Sequence, residues 1–252
     1  MWTGGHVMFA HKTVVVLGAT GVVGSGVVRK YLDAGATVVG VSRSGSNLER
    51  LKQQIGISDS EPFVGVVGDF VTEASAAEVF QSVTAALGGR AIDHVVSVLG
   101  FAAVGTPPTA TALDTVTSAL ADGLFNSFLA AKVFLPSLKS REGSSYTIVS
   151  GGLAHIPPPF PGLWLATVKN AAVNALSNSL ASETAKDAVR VNTMCIHFGV
   201  APIGGSKNQF GMPTESDTLR LGPAFLAVAR GTQKGQIICL DSWSTTDRIA
   251  AS

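Results

Sequence analysis

The stretch Thr13-Val-Val-Val-Leu-Gly-Ala-Thr-Gly-Val-Val-Gly constrains this chain more than any other. A short apolar run rich in β-branched residues makes a strand. Gly18, Gly21 and Gly24 then recur every third residue, and the sequence turns helical. Such glycines permit a sharp turn, close backbone approach to a pyrophosphate, and tight helix–sheet contact. The phosphates would sit on the unpaired N–H groups that open the following helix. A turn with a purely structural purpose is the alternative reading of the glycines alone.

The same alternation runs on through the chain, which is the mark of a doubly wound fold. Strand patterns fall at residues 13–17, 37–41, 63–67, 94–98, 146–150, 189–196 and 236–240. Helical patterns fall at 22–34, 48–54, 74–87, 112–138, 166–186 and 217–230. The fold class expected is therefore α/β: a single Rossmann-type doubly wound domain over residues 12–252, with a mostly parallel sheet of about seven strands. Residues 1–11 are expected to form a flexible N-terminal arm, since they match neither a signal peptide nor a transit peptide.

Composition agrees. An apolar share of 46%, a charged share of 14% and 28 glycines suit a sheet covered on both faces. A net charge of +1 gives no footprint for nucleic acid or an anionic membrane, so neither is an expected partner. No apolar run reaches the ~18 uninterrupted residues of a membrane span. The two cysteines, Cys195 and Cys239, lie in strand-like runs. Buried, inert thiols in a cytoplasmic protein are expected there, with no disulfide and no metal site.

The end of the second strand bears on the choice of dinucleotide. A strand that selects NAD usually ends in a carboxylate for the ribose 2′-hydroxyl. This one ends Val41-Ser42-Arg43-Ser44. The Arg43 guanidinium matches a 2′-phosphate through two parallel hydrogen bonds, and the serines add donors. NADP(H) is the expected cofactor, against the alternative of a solvated surface arginine.

Further segments follow in order: Gly68-Asp69-Phe70-Val71-Thr72, Ile92-Asp93-His94-Val95-Val96-Ser97-Val98-Leu99-Gly100, Leu165-Ala-Thr-Val-Lys169, Ala188-Val-Arg-Val-Asn192 and Lys234-Gly-Gln-Ile-Ile-Cys-Leu-Asp241. With the glycine unit, they make residues 12–243 resemble the short-chain dehydrogenase/reductase family. The resemblance implies cofactor contacts at Gly18, Thr20, Gly21, Val22, Val23 and Gly24, then at Ser42, Arg43 and Ser44. It extends them to Asp69 and Phe70, to Ser97, Leu99 and Gly100, and to Lys169 and Val200. It also implies a homodimer or homotetramer paired through the helices over 112–138 and 166–186.

The family's active site carries an Asn, a Ser, a Tyr and a Lys, and here only Lys169 stands in register. The tyrosine position holds Leu165, beside Trp164. The serine position falls on Gly151 or Gly152, just past Ser150. The asparagine position falls near Gly123, between Asp122 and Asn126, and the turn after the sixth strand reads Ile196-His197-Phe198-Gly199. Carbonyl reduction builds negative charge on oxygen, which the missing hydroxyls would stabilise and protonate. Losing one such donor costs on the order of 3 kcal/mol. The candidate catalytic residues are Lys169, His197, Trp164, Ser150 and Asn126. His155, ahead of the proline loop at 156–161, is a further candidate. Each also has an ordinary structural reading.

The expected activity is NADPH-dependent reduction of a bulky apolar substrate that needs little acid catalysis, such as an imine or iminium. In lacking the tyrosine the chain is similar to fungal members that reduce iminium intermediates in indole-alkaloid assembly and shape a following cyclisation. The alternatives are an NADP(H)-binding regulatory module and a non-redox cyclase or isomerase. Residues 200–216 sit where the family carries its substrate lid, and Phe101, Phe160, Trp164, Phe198 and Phe210 offer apolar walls.

Overall fold

The computed structural model describes residues 8–100 and 104–252. Its strands are β1 (Thr13–Leu17), β2 (Thr37–Ser42), β3 (Phe63–Val67), β4 (His94–Ser97), β5 (Ser145–Gly151), β6 (Arg190–Ile196) and β7 (Ile237–Leu240). They form one sheet in the order β3-β2-β1-β4-β5-β6-β7, and every pairing is parallel. The order reverses between β1 and β4, which opens a crevice at the carboxyl ends of those strands.

Burial explains the unbroken apolar strands. Val15 and Leu17 enter one core with α3 (Glu73–Ala86), α5 (Asn126–Phe134) and α6 (Trp164–Glu183). Val14 and Val16 enter the other with α1 (Val22–Asp33), α2 (Gly45–Ile55), α7 (Gly222–Arg230) and α8 (Trp243–Ala250). Successive strand residues point to opposite faces, so covering both faces demands apolar residues at every step.

Three expectations need correction. Of the arm expected over residues 1–11, residues 1–7 lie outside the described residues, and 8–11 are not loose. Phe9 is 2% exposed, donates its amide to the Ala34 carbonyl, and packs edge-on to Tyr31 and His94. Beside it, Lys12 reaches the buried carboxylate of Asp93, which also accepts from the Thr13 amide and from Arg141. Burial works to raise the Asp93 pKa, but those donors hold it below the ordinary value.

The helix expected over 112–138 is broken. It runs as α4 (Leu113–Leu120), a π-helical turn (Ala121–Phe125), α5, and a 3₁₀ turn (Leu135–Leu138). By length and composition this stretch would pass for a membrane span, with a third of it buried against the domain. Helix α8 was not anticipated. Its polar sequence hides the start signal, which is Ser242 accepting the Thr245 amide as N-cap.

Candidate active site

The glycine turn between β1 and α1 has a shape that only glycine allows. Gly18 takes φ +81, and a Cβ there would lie 2.3 Å from the Val98 carbonyl oxygen. A Cβ on Gly24 would lie 2.2 Å from the Gly18 oxygen, so the helix seats directly on the turn. Helix α1 starts after Gly21 with no side-chain cap and no acid in its first turn. Its first N–H groups are thus available to an anion. These features fit a dinucleotide pyrophosphate.

From this turn a cleft of ≈ 300 Å³ extends over the sheet. Thr20, Ser42, Arg43, Asp69, Phe70 and Asn126 are among the residues lining it. Ser42 is buried and bonds the Thr20 hydroxyl at 2.9 Å. Arg43 stands 75% exposed over the cleft, 3.9 Å from Asp122, and no carboxylate ends β2. Asp69 accepts from the Val71 amide, which fixes the loop after β3. Gly24, Ser44 and Ser97 are expected contacts that line neither this cleft nor the cavity beside it. Ser44 caps α2 by accepting the Asn47 amide, and Ser97 is wholly buried within β4.

Val98, Leu99 and Gly100 line both this cleft and a second cavity of ≈ 400 Å³, so the two adjoin. The second cavity lies over the ends of β5 and β6. Lys169, Asn170, Ser150, His197, Asn208 and Gln209 supply its polar groups, and Ile156, Leu163, Phe198, Phe210 and Met212 much of its apolar wall. Val22, Val23 and Val200 also line it. Phe101 falls outside the described residues.

Lys169 is only 6% exposed. Burial pulls its ammonium below the ordinary lysine value, and the Asp122 carboxylate opposes this. Its stem lies against Gly123, where a Cβ would come 2.2 Å from Lys169 Cδ. The π-helical turn places Gly123 there, and the lysine stem fills the space its missing side chain leaves. π-turns inside helices often sit at functional positions for this reason of altered register. One turn before Lys169, Leu165 is 1% exposed and packed inward, off the cavity wall.

The two glycines at the end of β5 are flanked in a similar way. A Cβ on Gly151 would lie 2.8 Å from Asn170 Nδ2, and one on Gly152 would lie 2.4 Å from His197 Cγ. These two glycines therefore admit an amide from α6 and an imidazole from the end of β6. Asn170 was not singled out from the sequence, although it directly follows Lys169 and the vacated space at Gly151 is its counterpart. Ser150 Oγ is buried on the cavity side with no hydrogen-bond partner among the described residues.

Other candidates are used elsewhere. Trp164 donates its indole N–H to the Thr106 carbonyl at 3.2 Å and is not on the cavity wall. Asn126, with its amide nitrogen so turned, donates to the Phe70 and Ala121 carbonyls and faces the nucleotide cleft rather than Lys169. The ring of His197 lines the cavity, but Nε2 lies 3.4 Å from Cys195 Sγ and Nδ1 lies 3.3 Å from Asp241. His155 stacks on it with ring centroids 5.7 Å apart.

Comparison with known proteins places this geometry. The sequence profile described as short chain dehydrogenase matches residues 12–209. The L-fucose dehydrogenase of Mus musculus is 28% identical over 191 residues, which span 76% of this chain and 66% of the mouse protein. A dehydrogenase/reductase from Sinorhizobium meliloti superposes with a TM-score of 0.80 at 16% identity, covering 95% of this chain and 97% of that one. A Pseudomonas aeruginosa short chain oxidoreductase, described as containing an atypical catalytic center, gives 0.77 at 20% identity over 90% and 95%. A Haemophilus influenza oxidoreductase solved with bound NAD gives 0.77 at 14% over 94% and 96%. At such identities the solved structures speak for the fold, and the profile match decides the membership. The chain belongs to the short chain dehydrogenase family, oxidoreductases that bind nicotinamide cofactors.

Proposed function

We propose that the protein is an NADP(H)-dependent reductase of a bulky, apolar and already polarised acceptor, such as an imine or iminium. One observation carries the reading: the cavity beside Lys169 has no tyrosine and no carboxylic acid among its described residues, and the ring nitrogens of His197, which lines it, are turned to Cys195 and Asp241.

The cofactor, when bound, supplies hydride; the glycine turn would hold its pyrophosphate, and Arg43 with Ser42 its adenosine 2′-phosphate. Lys169 would hold the ribose through its ammonium, with Asp122 offsetting part of its charge. Asn170 and Ser150 offer hydrogen bonds to the acceptor's heteroatom. Such donors stabilise developing charge, but an amide does not surrender a proton near neutrality. A ketone becomes an alkoxide that must be protonated, whereas an iminium carbon becomes a neutral amine with no proton owed; an imine joins this class once solvent has protonated its nitrogen to the iminium. The apolar walls exclude water and suit a bulky apolar substrate better than a sugar, whose hydroxyls would each need a partner once buried. Phe125, Phe128 and Val168 are exposed on the π-helical turn, α5 and α6. They support pairing of two or four copies through these helices.

The test mixes the protein with NADPH and a panel of imines and ketones while the nicotinamide absorbance is followed. Consumption with imines and not with simple ketones is the expected result. Comparable turnover of ordinary ketones would refute the reading.

A further inference from the structure

Four side chains with metal-ligand chemistry converge at the end of β6, next to the cavity that one of them, His197, also lines. His155, Cys195, His197 and Cys239 each place a ligand atom within 4.8 Å of the other three. The fold brings them together from separate segments. Cys195 and His197 are two apart at the end of β6, so both point to the α6 face. Cys239 is the in-register partner of Cys195 on β7. His155 arrives from the turn after β5, and Gly152 lacks the Cβ that would exclude His197.

We propose that these residues form a Cys₂His₂ site for a borderline-soft divalent cation, zinc above all. Thiolate and imidazole ligands select such a metal over magnesium or calcium. In a tetrahedral zinc site with normal bond lengths, ligand atoms lie about 3.3–3.8 Å apart. The Cys195 Sγ to His197 Nε2 distance, 3.4 Å, already falls in that range. The widest separation closes by roughly 1 Å, a shift within reach of His155, which sits on an exposed turn.

The surrounding shell has the form that metal-bound histidines require. A ligating histidine usually passes its other N–H to a carboxylate or carbonyl oxygen, which fixes the ring. His197 keeps Nε2 toward Cys195 and Nδ1 toward Asp241. Asn174 of α6 lies 3.2 Å from His155 Nε2, and its buried Oδ1 has no partner among the described residues. Turning that amide lets Oδ1 accept the histidine N–H. Binding exchanges the two S–H protons for two metal–sulfur bonds and releases both protons to solvent.

Four protein ligands leave no open position, which marks a structural site and not a Lewis acid for the reaction. Its effect would be to tie the turn after β5 to the sheet. That turn leads into Ile156 and Pro159, which wall the cavity.

Protein stripped with chelator and fully reduced is titrated with Co²⁺, then with Zn²⁺. The expected result is one equivalent of cobalt with thiolate charge-transfer absorption and tetrahedral d–d bands, displaced stoichiometrically by zinc. Cys195→Ser and Cys239→Ser should each remove most of the charge-transfer intensity, with folding checked by circular dichroism. Asp241→Asn should keep the stoichiometry and weaken binding roughly 10–100-fold. Failure of the reduced wild-type protein to bind cobalt, or cobalt spectra unchanged by both serine substitutions, would overturn the proposal. A Cys195–Cys239 disulfide persisting in millimolar thiol, with no metal taken up, would overturn it as well.

Discussion

The nucleotide half and the substrate half of this domain are built by different means. In the nucleotide half, backbone shape does the work: Gly18 with φ +81, Gly24 seated on the Gly18 carbonyl, and an uncapped helix start. No other residue type can make that turn. In the substrate half, side chains from distant segments fill spaces that glycines leave open. Asn170 fills the space at Gly151, His197 the space at Gly152, and the Lys169 stem the space at Gly123. Backbone geometry tolerates little variation, whereas a vacated side-chain slot can be refilled from several directions. One half is therefore constrained to a single solution, while the other is free to change its chemistry on the same frame.

Substitutions can break that contrast or sharpen it. The largest effect is expected beneath the nucleotide half, where Phe9→Ala empties a buried aromatic site against β4 and α1. It should cost about 3–5 kcal/mol of stability in denaturant titrations. A negligible change would mean that the segment is not part of the core. In the substrate half, Lys169→Met keeps the packing and removes the ammonium. Turnover should fall about a hundredfold, the scale set by misplacing a reactant. Gly18→Ala should strain the turn by about 1–3 kcal/mol, weakening NADPH binding tenfold or more in a fluorescence titration. Arg43→Ala should be the mildest. It should weaken NADPH binding about tenfold, as for one charge-assisted pair of roughly 1.5–3 kcal/mol, and leave NADH binding nearly unchanged. Equal losses for both nucleotides would place Arg43 away from the 2′-phosphate.

The sequence foretold the sheet well because both its faces are covered. The apolar run 13–17 coincides with the fully buried β1 to the residue, and 63–67 with the partly exposed edge strand β3. Glycine spacing likewise pointed to the phosphate turn. Three kinds of feature stayed hidden. The break at Ala121–Phe125 depends on packing against Lys169, which lies far along the chain. The docking of Phe9 depends on a pocket made by Tyr31 and His94, so a segment without periodicity looked loose. The meeting of Cys195 with Cys239, His155 and His197 depends on strand register and on the turn after β5. Each cysteine alone looked like an inert core residue. Lys169 was readable because it keeps its motif position; Asn170 was not, because only the three-dimensional vacancy at Gly151 gives it a role.

The central claim concerns which acceptors can take hydride without a proton donor at residue 165. Its most direct measurement compares kcat/KM for an imine and a ketone built on the same apolar skeleton, at saturating NADPH. The imine should be favoured about a hundredfold or more, the scale of one missing oxyanion donor. Equal values, or a preference for the ketone, would contradict the account.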